Sequence, residues 1–155
     1  MKYLLAGIAL LLLFCGCKDK LEDKIIKAYE TRENKLNDTL ALDLKSVTWF
    51  AWDEFYKFRG IPTTESMSKS MGVQYNNAST SGNSDIVQFV FLLHKKVVYD
   101  EINDATTLPI GIISSCDSIQ PYTCFRAESA KFLVVKEINS WDHKKNYYCL
   151  YEMKK

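Results

Sequence analysis

The sequence lacks the motifs that most often carry hydrolytic chemistry. It has two histidines, His94 and His143, and neither stands in an H-E-x-x-H pattern or another spaced set of metal ligands. The G-x-S-x-G turn of serine hydrolases is absent as well. Motif-based zinc and serine hydrolysis is therefore excluded, and the sequence predicts no cofactor, no metal site and no enzyme.

An excess of charge of one sign is also missing. The chain has 20 basic and 19 acidic residues, a formal net charge of +1, and no cluster of Lys and Arg. A protein that binds a phosphate backbone needs a basic face and a pI above about 9. The composition therefore gives no support for binding to nucleic acid.

No apolar run is long enough to cross a bilayer. The longest such stretch, from Leu4 to Gly16, holds about 13 residues. A spanning helix needs roughly 20 apolar residues, whereas the core of a signal peptide needs about 7 to 15. With Lys2 as its positive start, this stretch predicts a secretory signal peptide over residues 1–16.

The end of this run, "LFCGC", resembles the lipobox of bacterial lipoproteins, in which a Leu, a small residue and Gly or Ala precede the lipidated Cys. Gly16 and Cys17 match its last two places and Cys15 supplies the small residue, whereas Phe14 replaces the usual Leu. The resemblance implies that Cys17 becomes the first mature residue and carries a diacylglycerol thioether and an acylated, for example palmitoylated, amine. Several acyl chains on one residue give stable membrane anchoring. The alternative, cleavage without lipid, lacks an A-x-A-like site.

The residue after the lipobox indicates where the anchor would lie. Many enteric lipoproteins kept in the inner membrane have Asp there, and this chain has Lys18. The resemblance therefore implies the periplasmic face of the outer membrane. Without residues 1–16 the chain loses one lysine, keeps 19 residues of each charge, and retains about 139 residues, enough for one domain.

Three cysteines remain in the predicted mature chain besides Cys17. Cys116 and Cys124 flank the turn-rich insert "DSIQPYT", which favours a disulfide between them worth roughly 2 to 3 kcal/mol. Pairing of either one with Cys149 is the alternative. A zinc site would need closer C-x2-4-C spacing and a nearby histidine. A disulfide would also agree with an oxidising compartment such as the periplasm.

Residues 17–38 are predicted to form a lipidated, charged tether. Their apolar positions share one helical stripe, and Asp23 precedes Lys27 at the favourable i,i+4 spacing. A helix of about 20 residues would hold the domain roughly 30 Å from the lipid. Three interpretations stay open: a spacer or partner-binding helix, an amphipathic helix packed on its own domain, and a disordered leash.

An aromatic segment, "SVTWFAWDEFYKFRG", follows at residues 46–60. A period of two places Trp52 on one face with Tyr56 and Phe58, whereas a helical period aligns Trp52 with Asp53 and Tyr56, so periodicity does not decide between strand and helix. Trp52, Asp53 and Tyr56 are the candidate residues for contact with a protein partner.

The pattern W-D-x-hydrophobic-Y-x-hydrophobic, here residues 52–58, followed by a short helix and a strand hairpin, is similar to a segment of small uncharacterised bacterial lipoproteins. The similarity covers roughly residues 47–100. Those proteins usually have a Pro-Tyr pair after the aromatic strand, where this chain has residues 59–62, "RGIP". The resemblance implies no activity.

A short helix is predicted next, in "PTTESMSKSMG". Thr63 is its N-cap, Glu65 lies in its first turn, Met67 and Met71 stack on its core side, and Gly72 ends it. The run "YNNASTSGNS" at residues 75–84 has no apolar anchor and is predicted to be an exposed flexible loop.

The second half of the chain is rich in strand patterns. Residues 85–102 predict two strands around Lys95 and Lys96, residues 123–138 another pair turning near Glu128 to Ala130, and residues 146–153 a closing strand. "LPIGIISS", residues 108–115, adds a short strand. Residues 39–155 are therefore predicted to form one α+β domain, with a mainly antiparallel sheet of five or six strands, an N-terminal helix and one short helix.

Two functions of different class agree with these features. One is a membrane-anchored, non-enzymatic envelope lipoprotein that binds a protein partner in the periplasm, such as an inhibitor or an immunity-like protein. The other is a hydrolase of envelope polymers that uses an unrecognised carboxylate site, for which Asp53 and Glu54 are the candidates. Neighbouring residues of a strand point to opposite faces, which argues against joint action of these two carboxylates.

Overall fold

The computed structural model describes residues 20–32, 38–60, 62–79, 84–113, 122–138 and 146–153. Cys15, Cys17 and Cys116 lie outside these ranges. The elements in chain order are α1 (Leu21–Glu30), β1 (Thr39–Asp43), a 3-10 turn (Leu44–Ser46), β2 (Glu54–Arg59), α2 (Thr64–Met71), β3 (Ile86–Leu93), β4 (Lys96–Asp104), β5 (Ile110–Ile113), β6 (Tyr122–Arg126), β7 (Lys131–Ile138) and β8 (Asn146–Glu152). No helix in these ranges is long and apolar enough to span a membrane.

The strands of the described ranges form two four-stranded sheets. Sheet A has the order β1-β7-β8-β5 and sheet B the order β4-β3-β2-β6. Within these ranges every pairing is antiparallel except that of β5 with β8. The α+β class and the mainly antiparallel pairing are confirmed, whereas the prediction of one sheet with five or six strands understates what is found.

The connection between β6 and β7 explains part of this difference. These strands were expected to pair, but β6 pairs with β2 and β7 pairs with β1 and β8. The chain crosses from one sheet to the other at the turn between them. There the Ala127 amide donates to the Asp53 carbonyl (2.9 Å), and the Ala130 carbonyl accepts from the Leu44 amide (3.0 Å). The turn near Glu128 is therefore present, but it is not a hairpin.

The two sheets share an inner core made largely of aromatic rings. Phe55 of β2 stacks on Phe91 of β3 with centroids 4.4 Å apart, and on Phe125 of β6 at 5.6 Å. Phe125 meets Phe132 of β7 edge to face at 5.2 Å, which links sheet B to sheet A. The same cluster includes buried residues of all eight strands except β4, together with α1.

Helix α1 belongs to this core. Leu21, Ile25 and Tyr29 are fully buried in it. The helix has no side-chain cap of its own; instead the Leu21 amide donates to the Glu101 carboxylate of β4 (3.1 Å). At its other end Glu30 binds Lys136 and Tyr148 of sheet A. The described part of the predicted tether thus includes a ten-residue helix packed on its own domain. The tether over residues 17–38 as a whole stays a prediction.

Helix α2 forms where the local signals predict it, and it covers the other face of sheet B. The Thr63 hydroxyl accepts a hydrogen bond from the Ser66 amide (3.1 Å), and the helix ends at Gly72, whose φ of 67° suits a residue without a side chain. Met67 and Met71 are buried, as predicted. This second, outer core comprises Tyr56, Phe58, Met67, Met71, Tyr75, Val90 and Leu92.

The segment after α2 was expected to be an exposed flexible loop without an apolar anchor. Asn76 and Asn77 are exposed, but the expected absence of an anchor is wrong at Tyr75. Tyr75 is buried, and its hydroxyl donates to Asp100 of β4 (2.8 Å). Gln88 of β3, fully buried, donates to the Asn77 carbonyl (2.8 Å) and accepts from the Ser79 amide (3.3 Å). These bonds attach the segment to sheet B, while residues 80–83 lie outside the described ranges.

Candidate functional site

Trp52, the first of the three candidate partner residues, lies inside the protein. It precedes β2 and is 2% exposed. Its indole nitrogen donates to the Thr48 hydroxyl (2.9 Å), and its ring meets Phe91 edge to face at 5.2 Å. A tryptophan in a protein core usually has its ring buried and its indole N–H hydrogen-bonded, as Trp52 does. Trp52 is therefore part of the inner core.

Tyr56, the third candidate, lies in the other core. Its ring packs near Phe58 and Tyr122 on the α2 side of sheet B, and it is 5% exposed. Its hydroxyl donates to Glu54 (2.8 Å). Since Trp52 and Tyr56 are buried in different cores, the structure does not bring these aromatic side chains together into one surface.

Asp53 and Glu54 bind the tight turn between β3 and β4. His94 and Lys95 both have positive φ, 50° and 60°, a pair of values that a two-residue hairpin turn of type I′ requires and that is uncommon for residues other than Gly, Asn, Asp and His. Asp53 Oδ2 accepts from the His94 amide (2.8 Å), and Lys95 Nζ lies 2.7 and 2.9 Å from the two oxygens of Glu54. The two carboxylates thus stabilise an otherwise unfavourable turn.

The electrostatics of Glu54 agree with this role. Partial burial acts to raise the pKa of Glu54, but hydrogen bonds from Lys95 and Tyr56 outweigh it and hold this pKa below its usual range. A general acid at neutral pH would need a raised pKa. Glu54 is therefore a stable anion engaged with its neighbours, and Asp53 is engaged with a different residue of the turn.

The described thiols do not resemble activated nucleophiles. Cys124, exposed on β6, shares a hydrogen bond with Tyr56, and desolvation raises the pKa of its thiol. Burial likewise raises the pKa of Cys149 on β8, to about 11. A reactive cysteine needs a lowered pKa, so both thiols stay protonated at neutral pH. Cys124 and Cys149 are not bonded to each other, and since Cys116 lies outside the described residues, the Cys116–Cys124 disulfide stays a prediction.

The described part of the chain contains no group of three or more His, Cys, Asp or Glu side chains that could hold a metal ion. His94, which is exposed, has the Asp53 carboxylate 3.5 Å from its Nδ1 and belongs to the turn. His143 lies outside the described residues.

A different surface has the features of a binding site, and the sequence did not single it out. Strand β4 is the last strand of sheet B, and within the described ranges only β3 pairs with it. Its Val97, Val98 and Ile102 are large apolar side chains between 38% and 43% exposed. We call this strand, Lys96–Asp104, the β4 edge. The two adjacent valines break the alternation of a half-buried strand, but the sequence alone does not show that both are exposed.

An aromatic cluster adjoins the β4 edge. Trp49 is 48% exposed, and its ring meets Tyr99 of β4 edge to face at 5.2 Å. Phe50 stacks on Tyr99 at 4.8 Å and continues inward to Phe91 at 5.2 Å. Lys24 of α1 places its Nζ 5.6 Å from the Trp49 ring centre, within the range of a cation–π contact. Helix α1 and the β4 edge thus meet at one exposed tryptophan.

Comparison of the chain with protein-family models, curated proteins and solved structures found no match.

Proposed function

We propose that this protein is a non-enzymatic lipoprotein of the bacterial cell envelope, anchored through Cys17 at the periplasmic face of the outer membrane, that binds a protein partner through the β4 edge. An inhibitor or immunity-like role fits such a protein. The anchor rests on the resemblance of "LFCGC" to the lipobox. The partner-binding role rests chiefly on one observation, the open β4 edge.

An open edge offers both parts of strand-addition binding. Its main-chain N–H and C=O groups supply affinity, and its outward side chains supply specificity. The β4 edge is nine residues long, contains no proline, and exposes three β-branched side chains. Natural sheets usually shield long edges with proline, irregularity or charge. Here the one irregularity in the register lies at the start of the strand, opposite Phe91 and Leu92, so the stretch from Tyr99 to Asp104 stays regular. That stretch does contain charge, but the carboxylates of Asp100, Glu101 and Asp104 accept hydrogen bonds from within the domain.

The position of α1 supports binding at the membrane surface. Four peptide steps from Cys17 to Leu21 span at most roughly 14 Å, because an extended chain advances about 3.6 Å per residue. Leu21 is bound to Glu101, in the middle of β4. A lipid on Cys17 would therefore hold the β4 edge close to the membrane, where it would meet membrane-bound or membrane-proximal partners.

Site-specific crosslinking tests the partner surface. A photo-crosslinking residue in place of Val98, in the full chain expressed in its own envelope, should capture one protein species. The same residue in place of Glu65, exposed on α2, is the matched control and should not capture that species. Val98→Lys should abolish capture of that species by a probe placed at Val97, while the thermal unfolding midpoint stays unchanged. Equal capture by the probes at Val98 and Glu65 would exclude the β4 edge as the partner-binding surface. Capture that Val98→Lys leaves unchanged would exclude it as well.

Fatty-acid labelling tests the anchor separately. Labelled palmitate should be incorporated by the unchanged chain and by Cys15→Ser, but not by Cys17→Ser. Label on Cys17→Ser, or its loss from Cys15→Ser, would show that the assignment of the modified cysteine is wrong. Membrane fractionation of the labelled protein then reports whether it lies in the outer membrane.

A further inference from the structure

The main-chain groups that β3 leaves unpaired on the β4 edge follow from the register of the two strands. One step beyond the last residue of β4, the Ala105 amide donates to the Asp85 carbonyl before β3 (2.6 Å). Hydrogen-bonded and non-hydrogen-bonded pairs alternate along an antiparallel ladder. Every second residue back from Ala105 therefore bonds to β3. The residues between them direct their N–H and C=O groups outward, and these are Asp100, Ile102 and Asp104.

A second copy of β4 meets these outward groups in one antiparallel register with favourable side-chain pairs. When Asp100 of the two copies lies at the centre, Lys96 lies opposite Asp104 and Val98 opposite Ile102. Each of these pairs occurs twice, once on either side of the centre. Opposite charges and β-branched side chains stabilise a sheet when they face each other across two strands. The sequence of the β4 edge is thus complementary to itself.

The neighbouring registers of the same phase are less favourable. If Tyr99 lay at the centre, Val98 would be opposite Asp100. If Glu101 lay at the centre, Ile102 would be opposite Asp100 and Glu101 opposite its own copy. Like charges directly opposite each other destabilise a strand pair. The side chains therefore select the register centred on Asp100.

The selected register has one pair of like charges, Asp100 and its copy. Each of these carboxylates already accepts hydrogen bonds from the Tyr75 hydroxyl (2.8 Å) and from the Asn77 side chain of its own chain. These donors compensate part of the charge on Asp100. The two pairs of Lys96 with Asp104 add attraction on either side of the centre.

The start of α1 shows how two such copies would lie on a membrane. A two-fold axis between identical antiparallel strands is perpendicular to their sheet, so both copies present the same face to the same side. Helix α1 packs in the inner core, and its Leu21 amide is bound to Glu101, the neighbour of Asp100. The two predicted anchors at Cys17 would therefore lie near the axis and on one side of the joined sheet. A single membrane holds both.

We propose that the partner of the β4 edge is a second copy of this chain, which joins two copies of sheet B into one continuous sheet. This inference rests on the proposed function, because it names the partner of the same edge. A contact between identical patches closes at two copies, so the assembly is a dimer and not a fibre. Within the described ranges it also covers the long edge that β4 otherwise presents.

Engineered cysteines test the register in the full chain, expressed in its own envelope. Val98→Cys and Ile102→Cys, on two differently tagged copies, should form a disulfide between the copies under mild oxidation. Residues that lie directly opposite each other have Cα atoms about 4.5 to 5.5 Å apart, within the range of a disulfide. A linked species that carries both tags is the expected result.

Lys96→Cys in place of Ile102→Cys is the matched control. Residue 96 is exposed on the same strand but lies roughly 20 Å from residue 102, at about 3.4 Å per residue. This pair with Val98→Cys should give no more linked species than the unchanged chain, which has its own cysteines. Equal linkage of the two pairs, or no linkage of Val98→Cys with Ile102→Cys, would overturn the proposal.

Reversal of charge tests whether Lys96 faces Asp104. Asp104 accepts hydrogen bonds from the neutral donors of Thr106, which hold its pKa below the usual range, so it stays an anion at neutral pH. Lys96→Glu should lower the yield of the linked species about ten-fold, since it replaces two attractive pairs by two repulsive ones. Lys69→Glu, exposed on α2, is the control and should leave the yield unchanged. An equal loss in both variants would overturn the proposed register.

Addition of Asp104→Lys to Lys96→Glu should restore the yield, because the charges are then opposite again. The unfolding midpoint shows whether this double variant folds, since Asp104 also binds Thr106. If it does not fold, the comparison of Lys96→Glu with Lys69→Glu still decides.

The photo-crosslinking probe at Val98 separates this inference from the proposed function. Capture of a second copy of the chain is the expected result. Capture of a different protein, without a second copy, would overturn the inference and leave the proposed function intact. Capture of no protein would overturn both.

Discussion

The two faces of sheet B are held by different kinds of interaction. On the inner face Phe55 stacks on Phe91 and on Phe125, and Trp52, from the segment before β2, meets Phe91 edge to face. On the outer face the methionines of α2 lie beside a buried polar network that joins Tyr75, Gln88 and the loop after α2. The same two central strands, β2 and β3, supply both faces.

This difference separates two sources of stability. An aromatic side chain buries about 150 to 250 Å², and its contribution scales with that area. A buried hydrogen bond contributes only about 1 kcal/mol net, but losing one partner leaves another polar group unsatisfied at a cost of about 1 to 3 kcal/mol. The inner face should therefore respond to lost volume, and the outer face to lost partners.

The largest expected effect comes from neighbouring residues of β3 that point to opposite faces. Phe91→Ala should lower the free energy of unfolding by about 3 to 5 kcal/mol, because the ring packs against four other aromatic rings. Leu92→Ala, on the outer face and equally buried, is the matched variant and should cost less. Denaturant unfolding measures both. A larger loss for Leu92→Ala would show that the two faces do not differ in this way.

A smaller effect is expected from the polar network. Gln88→Leu keeps the approximate volume of the side chain but removes the hydrogen-bond partner of the Asn77 carbonyl and of the Ser79 amide. The free energy of unfolding should therefore fall by about 1 to 3 kcal/mol. Tyr75→Phe leaves the Gln88 bonds to the loop in place and should cost less. Denaturant unfolding together with amide exchange of residues 75–79 checks this. A more stable Gln88→Leu would mean that the network is replaceable by packing.

The cap of α2 should contribute less again. Thr63→Ala removes the acceptor of the Ser66 amide and should cost about 1 kcal/mol, whereas Thr63→Ser should recover most of it. Comparison of the two unfolding midpoints distinguishes lost capping from lost packing. If serine does not rescue, the methyl group of Thr63 is the contributing part.

The smallest expected effect depends on pH and concerns Glu30, the last residue of α1, the helix that packs in the inner core. Hydrogen bonds from Lys136 and Tyr148 hold the pKa of Glu30 below its usual range. Its contribution is therefore full above the unfolded pKa, about 4.3, and is lost as pH falls through the lower folded value. Glu30→Gln should cost less than about 1 kcal/mol at pH 7, since the carboxylate is 42% exposed, and nothing at the lowest pH. Unfolding measured from pH 3 to 7 checks the sign; a cost that grows toward acid would contradict it.

Local signals were enough to predict several elements. Helix α2, with Thr63, Met67 and Gly72 in their roles, lies within about ten residues whose preferences all agree. The β3–β4 hairpin and the closing strand were predicted for the same reason. The division into two sheets was not, because an alternating strand looks the same whether its neighbour in sequence pairs with it or the chain crosses to another sheet.

The candidate site shows the same limit. In β2, Phe55 faces one core and Tyr56 and Phe58 face the other, so the strand is covered on both faces although its sequence, EFYKFR, also contains charged residues. Sequence periodicity does not reveal that both faces of such a strand are buried. Within the described ranges strand β4 pairs only with β3 because it is last in the order of sheet B, and only long-range pairing determines that order. A polar run such as residues 75–79 likewise does not reveal that one tyrosine within it is buried.

Helix α1 also has a consequence for the order in which the chain folds. Its two ends are bound by residues far along the chain: Glu101 at its start, and Lys136 and Tyr148 at its finish. A ten-residue helix is marginal alone in water, and contacts so distant in sequence must await the closure of long loops. Helix α1 leaves the ribosome before the strands that hold its two ends, so we expect it to dock only after β4, β7 and β8 have formed.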